Sequence, residues 1–285
     1  MLKAAVAVLA LALAACSGPA PGQSKPWLQN GRLASPGPPS PIPVRTLPNL
    51  SSPHQVALEL NTVETAIRDP ATPQAKLASL GRRQQEAYFA LADHSDWLPA
   101  VDAALTPAVR PQVDANAKAL SALSSLNGGG GGALPHWHIV RPPPVDELMG
   151  YYHEAEAAYG VPWTYLAAIH FVETNFGRIV GDSSTGAQGP MQFEPPTWDE
   201  YGHGDVHNAR DAILAAARYL KAAGAPGNMS KAVYAYNPDD RYVTSVSSFA
   251  GVMQADPRAY LGYYQWQVVI VTKKGRTLLP EGWSN

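Results

Sequence analysis

The stretch "HFVETNFGRIVGDSSTGAQGPMQF", residues 170–193, begins as an apolar helix and ends as a glycine-rich loop, with Glu173 at the junction. Leu166, Ile169, His170 and Glu173 fall at i, i+3, i+4 and i+7 of a helix that starts near Pro162, a residue tolerated at the first helical position. Glu173 therefore projects from the side expected to pack inward. A carboxylate there loses water, and burial disfavours its charged form, so its pKa rises. Raised to roughly 6–7, the acid would hold its proton at neutral pH and hand it to a leaving group. Periodicity alone also allows an ordinary exposed glutamate near the end of a short helix.

The loop adds chemistry. Gly181, Gly186 and Gly189 let backbone approach a ligand closely, while Ser183 and Gln192 supply a hydroxyl and an amide suited to sugar hydroxyls and N-acetyl groups. Helices are expected on both sides. One covers 145–159, ended by Gly160. Another starts at Ala209 with Asn208 as its N-cap, buries Ile213, Ala216, Ala217 and Leu220, and ends at Gly224. A helix from about residue 230 delivers "VYAYN", and a further one covers 240–253. After Asp256-Pro257, alternating apolar and polar residues around Lys274-Gly275 predict a terminal β-hairpin.

Toward the N-terminus, 54–126 reads as a helical region. Val56, Leu60, Val63 and Ile67 make one helical face, Leu77, Leu80, Gln84, Tyr88 and Leu91 a second after the breaker "RDPATP", and Val109, Val113, Leu120 and Leu123 a third. Nothing in this region carries chemistry, and a helical hairpin or three-helix packing unit is the expectation. A glycine- and proline-rich hinge covers 127–144, and the proline-rich segment 16–53 is a spacer that cannot bury enough apolar surface to order itself. The first fifteen residues combine Lys3, an apolar run and small residues before Cys16, which suits an export signal and is too short to span a membrane. "LAAC" at 13–16 resembles the bacterial lipobox. Cys16 is the sole cysteine of the 285-residue chain, so an acyl anchor is its expected use and no intrachain disulfide is possible. A net charge of −2 with 15% charged residues gives no electrostatic case for nucleic acid.

Three blocks occur in order: Glu173-Thr174, then Ser183-Ser184-Thr185-Gly186-Ala187-Gln188-Gly189-Pro190-Met191-Gln192, then Ala235-Tyr236-Asn237. Together they resemble the SLT-type, lysozyme-like catalytic domain of lytic transglycosylases, over about 145–256, closest to the actinobacterial lipoprotein branch. Thr174 stands where the family has serine, and Pro190 where it has leucine. The resemblance implies a mainly α, lysozyme-like domain over 145–285, with the helical region before it and the short β-hairpin at its end. It implies cleavage of the MurNAc–GlcNAc β-1,4 bond of peptidoglycan with a 1,6-anhydro product and no cofactor. Glu173 would act as acid and then base. Tyr236 would orient or hydrogen-bond Glu173, Ser183, Gln192 and Asn237 would hold sugar substituents, and Met191 would form the groove wall. The implied partners are peptidoglycan strands and, through Cys16, the membrane, with the protein exported and facing the cell wall.

Alternatives stay open. Asp182 lies in the loop and could serve a hydrolytic muramidase as its second carboxylate, or simply organise a turn. A non-catalytic wall-binding lipoprotein would use the same groove. His170-x-x-Glu173 lacks the second histidine of a zinc helix. His203, Asp205, His207 and Asp211 read as a turn before the 209 helix sooner than as a cation site. Trp198, Tyr201 and Tyr219 read as core aromatics.

Overall fold

The computed structural model describes residues 50–126, 136–272 and 275–285, and ahead of them only the backbone of three two-residue strands. Cys16, the export signal, most of the spacer and residues 127–135 of the hinge lie outside the described residues. The fold is mainly helical. Strands β1 (Leu28–Gln29), β2 (Arg32–Leu33) and β3 (Ile42–Pro43) precede helices α1 (Pro53–Arg68), α2 (Gln74–Asp93), α3 (Leu98–Ala104) and α4 (Arg110–Leu126). Then come β4 (His138–Ile139), α5 (Val145–Tyr159), α6 (Trp163–Thr174), β5 (Ile179–Val180), α7 (Pro195–Tyr201), α8 (Ala209–Ala222), α9 (Met229–Tyr236), α10 (Asp240–Ala255) and α11 (Ala259–Tyr263). The chain closes with β6 (Val268–Thr272) and β7 (Gly275–Leu279), an antiparallel hairpin in which Val268 faces Leu279. β3 adds to its β7 edge.

Helix boundaries follow local chemistry. Ser52 caps α1 by accepting from the Gln55 N–H, with Pro53 at the first position. Gly160 ends α5 in the left-handed region at φ 72°. Asn208 and Asn228 cap α8 and α9 through their side chains. Three helices depart from the expectation, and one of them, the five-residue α11, occupies residues 259–263 between the expected 240–253 helix and the hairpin. Both α3 and α7 are seven residues long, and α3 buries Val101 alone while α7 buries none. Neither therefore shows a stripe whose period could be read.

The apolar stripes of 54–126 and of the glutamate-bearing half meet in one continuous core, with α4 packed on α10 and α2 on α11. A buried polar network crosses this junction. Glu64 of α1 accepts from Tyr88 Oη at 2.5 Å and Gln84 Nε2 at 3.0 Å, and pairs with Arg68. Asn116 of α4 donates to Tyr88 Oη at 2.8 Å and accepts from Tyr263 of α11, while the Trp266 indole N–H donates to Gln84 Oε1 at 2.9 Å. A buried carboxylate is tolerable only when paired and hydrogen-bonded in this way. Glycine permits the approach: a Cβ on Gly81 would sit 2.5 Å from Gln265 Cβ and 2.7 Å from the Gly262 carbonyl oxygen. The frame of α6 and α10 thus rests on the N-terminal helices.

Candidate active site

Glu173 occupies the last turn of α6 and is only 4% exposed. Its neighbours in the helix explain this. Leu166, Ile169 and His170 are fully buried, and the helix is apolar on nearly every face, so the carboxylate is carried inward with them. Burial pushes the Glu173 carboxyl from 4.5 up to about 8, opposed by one hydrogen bond that favours the ionised form. That bond comes from Tyr242 Oη to Glu173 Oε1, at 2.6 Å. The acid is therefore protonated at neutral pH, and more firmly than the sequence argument expected.

Tyr242 is the residue the sequence reading missed, and Tyr236 is corrected accordingly. Tyr236 Oη donates to the Met191 carbonyl oxygen at 2.6 Å, so it does not supply the bond to Glu173. Burial is the main cause that raises the Tyr236 phenol, and the Glu173 carboxylate is close enough to raise it further. A signal for Tyr242 was present. It starts the inward stripe Tyr242, Val246, Phe249, Met253 of α10, and a buried tyrosine hydroxyl needs a polar partner.

Backbone strain marks the junction after Glu173. Asn175 and Phe176 lie at φ 53° and 62°, and Gln192 at φ 49°, all non-glycine residues in the left-handed region. Thr174 holds this turn. Its hydroxyl accepts from the Gly177 N–H at 3.0 Å and donates to the Pro190 carbonyl at 2.6 Å, clamping the helix end to the loop that carries Met191 and Gln192. Since a valine keeps the shape but makes neither bond, Thr174→Val is expected to cost about 1–3 kcal/mol of stability, with Thr174→Ser near wild type. Denaturant unfolding of the two variants checks this.

The other expected site residues fall as follows. Ser183 is buried, and its Oγ accepts from the Ala187 and Thr185 N–H groups at 2.9 and 3.2 Å and meets Thr185 Oγ1 at 3.0 Å. That hydroxyl organises the loop's own turn. Met191 is fully buried, so its side chain belongs to the core and not to a groove wall. The small cavity of about 70 Å³ beside it is walled by Gln192, Phe193, Glu194, Thr197, Tyr219 and Tyr236, among others. Gln192 spends its Nε2 on the Gly189 and Gly181 carbonyls at 2.9 and 3.4 Å, while its Oε1 is buried without a partner. Asn237 follows α9 and is buried.

Asp182 is exposed on the loop and makes no hydrogen bond or ion pair among the described residues. His170 bonds Tyr152 Oη through Nδ1 at 2.7 Å, and burial lowers its pKa to about 3, so its ring is neutral. Its Nε2 is buried and unpartnered. Asp211 Oδ2 accepts from the Asp205 N–H at 3.0 Å and Asp205 Oδ1 from the His207 N–H at 2.9 Å, which is the expected turn. No cluster of three or more potential metal ligands occurs among the described residues. Trp198 packs edge-on against Phe193, and Tyr219 lies against both Tyr201 and Tyr236 with its hydroxyl given to the Ala235 carbonyl.

Comparison with known proteins places these features. Residues 150–254 match the family model described as the transglycosylase SLT domain. The chain is 30% identical over 128 residues to the membrane-bound lytic murein transglycosylase F of Thiobacillus denitrificans (strain ATCC 25259 / T1), a match covering 42% of this chain and 27% of that protein. The chain thus spans about a quarter of the length of the curated relative it matches. No solved structure matches it. The buried glutamate, the strained glycine-rich loop and the Ala-Tyr-Asn turn all lie inside one segment, residues 150–254, that matches the transglycosylase SLT domain model.

Proposed function

We propose that this protein is a peptidoglycan lytic transglycosylase that cleaves the MurNAc–GlcNAc β-1,4 bond without water. The observation that carries the reading is a single desolvated carboxyl, Glu173, held by Tyr242 Oη at 2.6 Å and raised to about 8 by burial. The matched SLT domain and the murein transglycosylase relative support the substrate class.

In the first step Glu173 gives its proton to the glycosidic oxygen, and the C–O bond to the MurNAc anomeric carbon breaks. The substrate's own acetamido oxygen stabilises that carbon, so no second carboxylate is required, unlike the two-carboxylate scheme. The Glu173 carboxylate, now stabilised by the Tyr242 hydroxyl, takes the proton from the MurNAc 6-hydroxyl. That oxygen bonds the anomeric carbon and closes the 1,6-anhydro ring, which returns Glu173 to its acid form. Gln192, Tyr236 and Asn237 are the groups we assign to holding the sugar, Gln192 through its unpartnered Oε1. Ser183 and Met191 act one step back, Ser183 by shaping the loop and Met191 through the carbonyl that receives the Tyr236 bond.

No observation favours the hydrolytic alternative, since Asp182 is exposed and has no partner to hold it as a base. Product analysis decides between them. Mass spectrometry of muropeptides released by the purified protein should show 1,6-anhydro ends, lighter by one water than hydrolytic ends. Reducing MurNAc ends would establish a muramidase, and no release would leave a glycan binder. Export and lipid anchoring at Cys16 complete the proposal. No described helix is long and apolar enough to cross a membrane. The relative's printed name describes that protein as membrane-bound. Labelling with a radioactive fatty acid, lost in Cys16→Ser, tests the anchor.

A further inference from the structure

Glu173 and Tyr242, the two ends of the central hydrogen bond, are each tied to a helix outside the matched residues 150–254. On the Tyr242 side the tie is Arg241, in the first turn of α10. Its Nη1 donates to the Ser125 carbonyl oxygen of α4 at 2.7 Å. Its Nε and Nη2 donate to the two carboxylate oxygens of Asp239, the N-cap of α10, at 2.9 and 2.6 Å. The fork holds the guanidinium in place. Ser125 lies in the last turn of α4, where carbonyls lack a partner within the helix and favour a cation. Among the described helices, α10 packs most extensively on α4.

On the Glu173 side the tie runs to α2. Asn175, two residues past the acid and held at φ 53°, donates from Nδ2 to the Trp266 carbonyl at 3.0 Å. The segment that carries this carbonyl is gripped from α2. The Trp266 indole N–H donates to Gln84 Oε1 at 2.9 Å. Gln85 accepts from the Gln267 N–H at 2.9 Å and donates to the Gln267 carbonyl at 2.8 Å. Gln84, Gln85 and Asn175 are all buried, so these bonds compete little with water.

A 2.6 Å bond between side chains of two different helices weakens steeply when either helix shifts, and such a pair keeps its geometry only if its supports are themselves fixed. We infer that the helical region 54–126 is a positioning element of the active site, with Arg241 and Gln85 as the positioning residues through which α4 and α2 hold Tyr242 and Glu173 in register. The inference rests on the cleavage reading for its effect on rate, and on the geometry alone for its effect on the carboxyl. Burial and the Tyr242 bond are the causes that move the Glu173 carboxyl, and the other phenol its charge reaches is that of Tyr236. A change at Arg241 therefore acts on the acid through Tyr242.

The test uses the full chain with Arg241→Ala or Gln85→Leu, each alone and each combined with Tyr242→Phe. Alone, either substitution should lower kcat on peptidoglycan strands about 2- to 5-fold with KM little changed, as for a hydrogen bond lost part of the time. The alkaline limb of the pH–rate profile should move up by about 0.3–0.7 pH unit, the same direction as for Tyr242→Phe. Arg241→Lys, which keeps a cation at the end of α4, should recover part of the loss. In the Tyr242→Phe background neither substitution should act further, because residues that work through one bond are not additive. Losses of equal size in both backgrounds, or an unmoved limb, overturn the inference and leave the cleavage reading intact. Should Gln85→Leu fail to fold, the surface substitution Arg241→Ala decides alone. If no strand is cleaved, the cleavage reading fails, and NMR titration of the Glu173 carboxyl decides the positioning: a raised midpoint in Arg241→Ala supports it, and an unmoved or lowered one overturns it.

Discussion

Glu173→Gln is expected to lower the rate of strand cleavage by about 10²–10⁴-fold, the usual worth of a positioned acid–base group, and at the same time to make the fold more stable at alkaline pH. The two effects share one cause. The apolar helix α6 withdraws the carboxyl from water, and its pKa stands at about 8 instead of 4.5. Between those values the folded protein keeps a proton that the unfolded chain releases. Stability therefore falls as pH rises through this window, because the native state binds more protons than the unfolded one. Above pH 8 the ionised carboxylate is held in a site that disfavours it, at an upper bound on the order of 3–5 kcal/mol. A glutamine carries no such burden. Urea unfolding of both proteins at pH 5 and pH 9 should show near-equal stability at the lower pH and a clear advantage for Glu173→Gln at the higher. An unchanged difference across that range would mean the carboxyl is solvated.

Tyr242→Phe should produce the second large effect. Among the described residues, Tyr242 is the one side chain that hydrogen-bonds the Glu173 carboxyl, and its bond favours the carboxylate. Removing it raises the Glu173 pKa further. The variant should give its proton up less readily and should lose the stabilisation of the carboxylate that must then act as base. We expect kcat to fall about 10-fold or more, the worth of a hydrogen bond to a charged group. The alkaline limb of the pH–rate profile should move to higher pH with KM little changed. Tyr236→Phe offers the contrast. Tyr236 donates to the Met191 carbonyl, so its loss should loosen the loop without moving that limb. A purely structural role for Tyr242 would lower activity at every pH and leave the profile in place.

The long helices were readable because each carries a stripe of four or more apolar residues, such as Val56, Leu60, Val63 and Ile67, all fully buried. α7 escaped because seven residues with no buried face show no period. The acid itself was legible as a carboxylate on an apolar face. Tyr242 was legible as a buried tyrosine but not as the partner of Glu173, because it lies 69 residues further on, and only the packing of α10 against α6 brings the two together. The same limit explains Met191 and Ser183. A motif shows which residue types are present, but not whether a hydroxyl is already spent on its own loop or a side chain is sunk in the core. The joining of the N-terminal helices to this site through Glu64, Asn116 and Tyr263 was likewise invisible, since a buried polar network has no sequence period.

The most direct measurement is the titration of the Glu173 side-chain carboxyl itself, by NMR of protein labelled with carbon-13 in its glutamate carboxyls and assigned by difference from Glu173→Gln. A midpoint near 8 is expected, with the neutral form dominant at pH 7. A midpoint near the ordinary value of 4.5 would contradict it, because the carboxyl would then have no proton to give.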